Sequence, residues 1–215
     1  MTTLRSGFTV VENCCSAKEC ADIALRLSDL STPGTRRLLD LDWCQELGRT
    51  LQDRLAESLP EIRNLLAIQC TYFNKSPETN WFVTYHQDRS IPVASSVCAE
   101  AWPSVSKKEG LTFIHASDEV LNQMLAVRLH LDDSTIDNGP LRVISESHLN
   151  GTLASNQISS LRATGHECSI IVHAGGVLLM RPLLLHASSK SKSKVSRRVL
   201  HFLFGPPTLP DGLEW

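Results

Sequence analysis

The sequence predicts a mainly β protein with some α structure, a sandwich or barrel of short strands buttressed by N-terminal helices. Three observations carry this. Two amphipathic helical patterns fill the first third, seven or more short β-rich runs follow, and no helical segments alternate with those runs as βαβ units require. With 215 residues, 42% of them hydrophobic, the chain can bury one sizeable core and is short for two, so a single domain over 1–215 is expected.

Ser16 and Glu19 make a capping box ahead of a helix from Ala17 to Asp29, whose Ala21, Ala24, Leu25 and Leu27 give an apolar face. A second helix starts after Asp42, because Trp43, Leu47, Leu51 and Leu55 repeat every four residues; Pro60 ends the run. Residues 1–64 therefore read as a helical buttress. The expected strands are Ala67 to Phe73, Trp81 to Tyr85, Met124 to Leu131, Leu141 to Ile144, Ser169 to Val172, Val177 to Met180 and Val199 to Phe204. Asn138-Gly139-Pro140 and Gly175-Gly176 are turns between them. The apolar stretch Cys168 to His186 carries His173, Arg181 and Pro182, which a bilayer would penalise, so it reads as a buried hairpin turning at the glycine pair. Residues 89–120 show little periodicity and are expected to be a mobile connection, a lid forming one wall of a substrate pocket, with Trp102 offering an apolar surface for closure and Lys107 and Lys108 available to meet a carboxylate.

The 21 Lys+Arg against 23 Asp+Glu give a formal charge of −2, without the basic patch that nucleic acid or an anionic membrane demands. Seven cysteines, an odd number, and no secretory leader point to reduced thiols and a cytoplasmic protein. Oligomeric state is not legible.

The chemistry starts at His86-Gln87-Asp88, at the end of a strand. Residues i and i+2 project to one face, so His86 and Asp88 point together while Gln87 points away. Such a pair holds two sites of one metal, and a second histidine from another strand would complete a two-His, one-carboxylate triad that leaves three positions open on Fe(II). His186 is the best candidate. Eleven residues later, Arg197 opens the last strand and suits a bidentate grip on the distal carboxylate of a small molecule held by the metal, which is the logic of a 2-oxoglutarate site. Arg198 competes for that role, although adjacent strand residues face opposite ways. Arg128, among apolar neighbours, either snorkels outward or faces the cavity and contacts co-substrate or substrate. Lys75 and Asn80 could reach the co-substrate but read more simply as solvated loop residues. His130, Asp132 and Asp133 read as a barrel strand with a polar end, and His115, His166, His173 and His201 have no ligand-like spacing.

The segments Asn80 to Asp88, Arg128-Leu129-His130-Leu131-Asp132-Asp133, Asn138-Gly139-Pro140-Leu141, His186-Ala187-Ser188 and Arg197-Arg198-Val199 resemble the phytanoyl-CoA dioxygenase family of Fe(II)/2-oxoglutarate oxygenases. The resemblance runs from about Ala67 to Phe204. It implies a double-stranded β-helix, or jelly-roll, cupin-like core, iron held by His86, Asp88 and His186, and 2-oxoglutarate held by Arg197, with Ser188 at a position that often contacts the co-substrate carboxylate. Where the family commonly has Pro-Gly-Ser-His, this chain has Ser145-Glu146-Ser147-His148, so the turn is altered and His148 is expected to be structural or to lie behind the ligands. The chain is short beside acyl-CoA-acting members, which favours a smaller substrate. The expected activity is hydroxylation of a C–H bond in a small metabolite using O2, with 2-oxoglutarate decarboxylated to succinate. Desaturation or ring closure, an oxygenase acting on nucleic acid or protein, and a non-catalytic cupin-like metal-binding barrel are the alternatives.

Overall fold

Alternation of inward and outward residues along short strands builds two facing sheets, and helices cover the outside of one. The computed structural model describes residues 4–28, 30, 34–94, 102 and 104–215. The larger sheet contains β1 (Phe8–Val11), β2 (Leu66–Lys75), β7 (Leu125–His130), β10 (Val177–Met180) and β12 (Arg197–Gly205), in the order β1-β10-β7-β12-β2. The smaller sheet contains β3 (Val83–His86), β8 (Leu141–Ile144), β9 (Glu167–Ile170) and β11 (His186–Ser188), in the order β3-β11-β8-β9. All pairings are antiparallel.

Two helices form where the periodicity places them, α1 (Ala17–Arg26) behind the Ser16–Glu19 capping box and α2 (Asp42–Leu55). Pro60 opens a 3-10 turn, Pro60–Asn64, in which its missing N–H costs nothing. Cys44, Leu51 and Leu55 of α2 join Leu125, Val127, Leu129, Leu200, Phe202 and Phe204 in one apolar core between helices and larger sheet. The opposite face of the sheet sends Ala126, Leu178, Met180 and Leu203 toward Leu141, Val143 and Ile170 of the smaller sheet, forming a second core inside the barrel. Among the described residues no helix is long and apolar enough to cross a membrane, and the six described cysteines are free thiols.

Three expectations are corrected. Residues 1–64 are not purely helical, because β1 pairs with β10 along the edge of the larger sheet. Cys168 to His186 is not a hairpin: β9 pairs with β8 and β10 with β1 and β7, so the glycine pair carries the chain from one sheet to the other. The connection 89–120 folds as a third sheet, β4 (Ser90–Val93), β5 (Ser106–Lys108) and β6 (Leu111–His115), in the order β4-β6-β5, followed by α3 (Asp118–Gln123). Its Ile91, Val93 and Ile114 are buried in the inner core, and the half-buried Trp102 packs there too, which anchors the segment. Residues 95–101 and 103 lie outside the described residues. A further helix, α4 (Ser155–Thr164), has no fully buried side chain and packs the half-buried Ile158 and Leu161 against Ile144, Leu153 and Leu185.

Candidate active site

Strands β3 and β11 lie side by side, with His86 opposite His186 in the register, so two imidazoles project from neighbouring strands of the smaller sheet into the barrel. Their ring centroids are 4.2 Å apart. Asp88 follows one residue beyond the turned-away Gln87, and its backbone N–H donates to Pro182 O at 2.9 Å. Gln87 fixes the turn from the other side: its Nε2 donates to the carbonyls of Gly151 and Leu183, and its Oε1 accepts from Leu153 N–H.

The two histidines share one arrangement. His86 Nδ1 lies 2.9 Å from Thr84 O and His186 Nδ1 lies 2.8 Å from Leu184 O. A carbonyl can only accept, so each Nδ1 carries a proton and each Nε2 is the ring atom left to meet a metal. Both Nε2 atoms face Asp88, at 3.5 Å from His86 Nε2 to Oδ1 and 3.6 Å from His186 Nε2 to Oδ2. One ligand atom from each of the three residues lies within 4.8 Å of the others, and this is the one group among the described residues with such geometry. His130, Asp132 and Asp133 form no second one. Burial pushes His186 down to about 4, keeping it neutral. Desolvation opposes ionisation of Asp88, but the charge that His186 and His86 carry when protonated outweighs it and holds the carboxyl well below the usual range.

The triad lies in a cavity of about 180 Å³ lined also by Phe73, Lys75, Trp81, Arg128, Arg197 and His201. Arg197 faces inward and is 6% exposed, its Nε donating to Asn138 O and its Nη2 to Gly139 O. Gly139 has φ +68°, and a Cβ on it would meet Ser189 O at 2.4 Å, so the Asn138-Gly139 turn can seat against the Ser188–Ser189 backbone only without a side chain. Ser188 Oγ donates to the same Gly139 carbonyl. Arg198 points the other way, into a bidentate pair with Asp132 at 2.7 and 2.8 Å. Strand alternation thus separates the two arginines as expected.

Lys75 departs from the solvated residue the sequence suggests. It is 1% exposed, lines the cavity, and donates to Ser188 Oγ at 2.7 Å and Ser189 O at 2.6 Å. Burial, with Arg197 and Arg128 nearby, pulls its pKa down to about 8. Asn80 does not line the cavity and bonds the Ser191 backbone. His201, set aside on spacing, also lines the cavity; the available signal was parity, since Arg197 and His201 are four apart on one strand. Arg128 faces the cavity and is 8% exposed. Tyr85 points out of the cavity as expected, its hydroxyl on Glu167 and its ring between Arg142 and Arg162. His148 is buried away from the cavity, and beside it Glu146 adopts φ +63°, keeping the left-handed turn without a glycine. Among the described residues none from 89–120 lines the cavity, and residues 95–101 and 103 of the wall expected there lie outside the described residues.

The fold and site together define a double-stranded β-helix with a His-Asp-His cluster facing a buried arginine. The family model for phytanoyl-CoA dioxygenase (PhyH) matches residues 4–199, and the chain belongs to that family of 2-oxoglutarate-dependent dioxygenases. Comparison with curated proteins gives no significant match. Solved structures share the fold. EctD from S. alaskensis, in its apo form, superposes with a TM-score of 0.69 at 18% identity, covering 94% of this chain and 74% of its own. HygX from Streptomyces hygroscopicus, with nickel, 2-oxoglutarate and hygromycin B bound, gives 0.64 at 17%, covering 94% and 84%. The α-ketoglutarate-dependent epimerase SnoN from nogalamycin biosynthesis gives 0.66 at 16%, covering 95% and 80%.

Proposed function

We propose that this oxygenase binds Fe(II) through His86, Asp88 and His186 and hydroxylates a C–H bond of a small molecule. The carrying observation is the shared arrangement of the histidines: both Nδ1 atoms are committed to backbone carbonyls, so both Nε2 atoms converge with Asp88 on one face. Two imidazoles and a carboxylate suit Fe(II) and leave positions for a chelating co-substrate and O2. Bound there, iron with 2-oxoglutarate supplies the oxidation: one oxygen atom enters succinate as CO2 leaves, and the other enters the substrate.

The chain's own residues hold the co-substrate. Arg197, fixed in its plane by two backbone carbonyls, takes the distal carboxylate with a fork geometry that an ammonium cannot supply. Lys75 adds a point charge and Ser188 a hydroxyl at the same end. Arg128 supplies further positive charge to the cavity. Phe73 and Trp81 cover the apolar side and exclude water. Asp88 fills the protein position that a halide would need, which favours oxygen transfer over halogenation. Hydroxylation asks least of the pocket, namely one C–H aimed at the open face, and the cavity's size suits a small molecule over a macromolecule.

The test is succinate release in the presence of Fe(II), O2 and a metabolite fraction, with mass spectrometry for a product gaining one oxygen from 18O2. Asp88→Ala should abolish both while leaving the fold intact. Succinate release by Asp88→Ala at the wild-type rate would contradict the proposal.

A further inference from the structure

Four residues along β12 from Arg197, on the same face, His201 meets Arg128 across β7 in direct register. Arg128 Nη1 donates to His201 Nδ1 at 2.7 Å. A nitrogen that accepts is unprotonated, so His201 is neutral and carries its hydrogen on Nε2. Its burial disfavours the charged form further. The guanidinium charge is therefore not neutralised by its own partner. Arg128 Nε is buried without a hydrogen-bond partner among the described residues, and the Phe73 ring lies 5.5 Å from the guanidinium carbon.

The other two cations of the cavity differ in one respect. Arg197 and Lys75 each donate to oxygen atoms of the protein, whereas among the described residues Arg128 donates to a ring nitrogen alone. Asp88 is the one carboxylate among the described lining residues, and both its oxygens face the triad histidines. With a divalent metal and a dianionic co-substrate in place, the cavity still holds positive excess. A buried guanidinium lacking an oxygen partner is expensive in the free protein and is repaid by an anion.

We propose that Arg128 and His201 form a second carboxylate subsite, separate from the one at Arg197 and Lys75. Arg128 offers its unused N–H groups and His201 its Nε2–H. Two carboxylates have the chemistry to fill it: the metal-end carboxylate of the 2-oxoacid, and an acid group on the substrate. Both sources rest on the oxygenase function proposed above; the subsite itself needs only the geometry.

Calorimetry on wild type, Arg128→Met, His201→Phe and the outward-facing control Arg198→Met separates these cases. The titrants are 2-oxoglutarate and 2-oxobutyrate on Mn(II)-loaded protein, then propionate and propionamide with and without Mn(II) and 2-oxoglutarate. If the 2-oxoacid fills the subsite, Arg128→Met weakens both oxoacids at least tenfold. If the substrate's acid fills it, the oxoacids hold and the preference for propionate over propionamide disappears. Arg198→Met changes neither. The free Arg128→Met protein should melt no lower than wild type, which a structural arginine would not allow; should it fail to fold, His201→Phe, with at least a threefold loss expected, carries the same comparison. Carboxylate binding within twofold of wild type in both variants overturns the subsite while metal-dependent 2-oxoglutarate binding upholds the oxygenase. Wild type that takes propionate through Arg128 but no 2-oxoglutarate upholds the subsite and overturns the oxygenase, and wild type that takes no carboxylate overturns both.

Discussion

Replacing Arg197 by Met asks whether this arginine holds the distal carboxylate of 2-oxoglutarate. Arg197 is 6% exposed, and two of its donors are spent on the Asn138 and Gly139 carbonyls, so the remaining N–H groups are pre-aimed into the cavity. Burial lowers its pKa to about 10, which still leaves it charged at neutral pH. Truncating one partner of a buried, hydrogen-bonded charge pair costs roughly 2–5 kcal/mol. Lys75 stays behind as a point charge on Ser188 and Ser189, which places the expected loss at about 2–3 kcal/mol, or roughly 30- to 150-fold in Kd. Arg198→Met should leave affinity within about twofold and cost about 1 kcal/mol of stability at most, because its pair with Asp132 is a partly exposed one outside the cavity. Anaerobic calorimetry of the Mn(II)-loaded protein reads both. Wild-type affinity in Arg197→Met, or an equal loss in Arg198→Met, would refute the assignment.

Other expectations follow from the same geometry. Lys75 titrates near 8 instead of 10.5, and its protonated form attracts the anion, so 2-oxoglutarate affinity should be full below pH 8, fall as pH rises through that value, and be flat there in Lys75→Met. For folding the sign is the reverse: the unfolded chain keeps that proton to higher pH, so Lys75 contributes a rise in stability of the free protein between pH 8 and 10.5, read by chemical denaturation. Gln87→Leu strands the Gly151 and Leu183 carbonyls and the Leu153 N–H, which should cost about 2–4 kcal/mol in urea unfolding and weaken metal binding by loosening Asp88; an unchanged midpoint would contradict the anchoring role. Glu146→Gly should raise stability by about 1 kcal/mol by relieving a positive φ, and a lower Tm would show that the turn is not strained.

Much of the site was legible because period-two alternation is a strong constraint: His86 with Asp88 inward, Gln87 away, and Arg197 and Arg198 split between cavity and surface. What escaped did so for local reasons. Lys75 ends its strand beside Ser76-Pro77, which reads as loop, and only the parity it shares with Phe73 turns it inward. His201 lacks ligand spacing because its partner, Arg128, is contributed by another strand. The third sheet hid because its hairpin turns at Glu109-Gly110, both at positive φ, and glutamate is not a usual residue for that position. The helix from Ser155 has no buried residue, so no apolar periodicity marks it. The short β1 strand gains its stability from β10, far away in sequence, and a four-residue run is too brief to declare itself.

A crystal structure of the protein with Mn(II) and 2-oxoglutarate, grown without oxygen, tests the central claim most directly. The account predicts one ion at roughly 2.0–2.3 Å from His86 Nε2, His186 Nε2 and an Asp88 oxygen, chelated by the 2-oxoacid, whose far carboxylate lies on Arg197. A metal bound elsewhere, or a 2-oxoglutarate that does not touch it, would contradict the account.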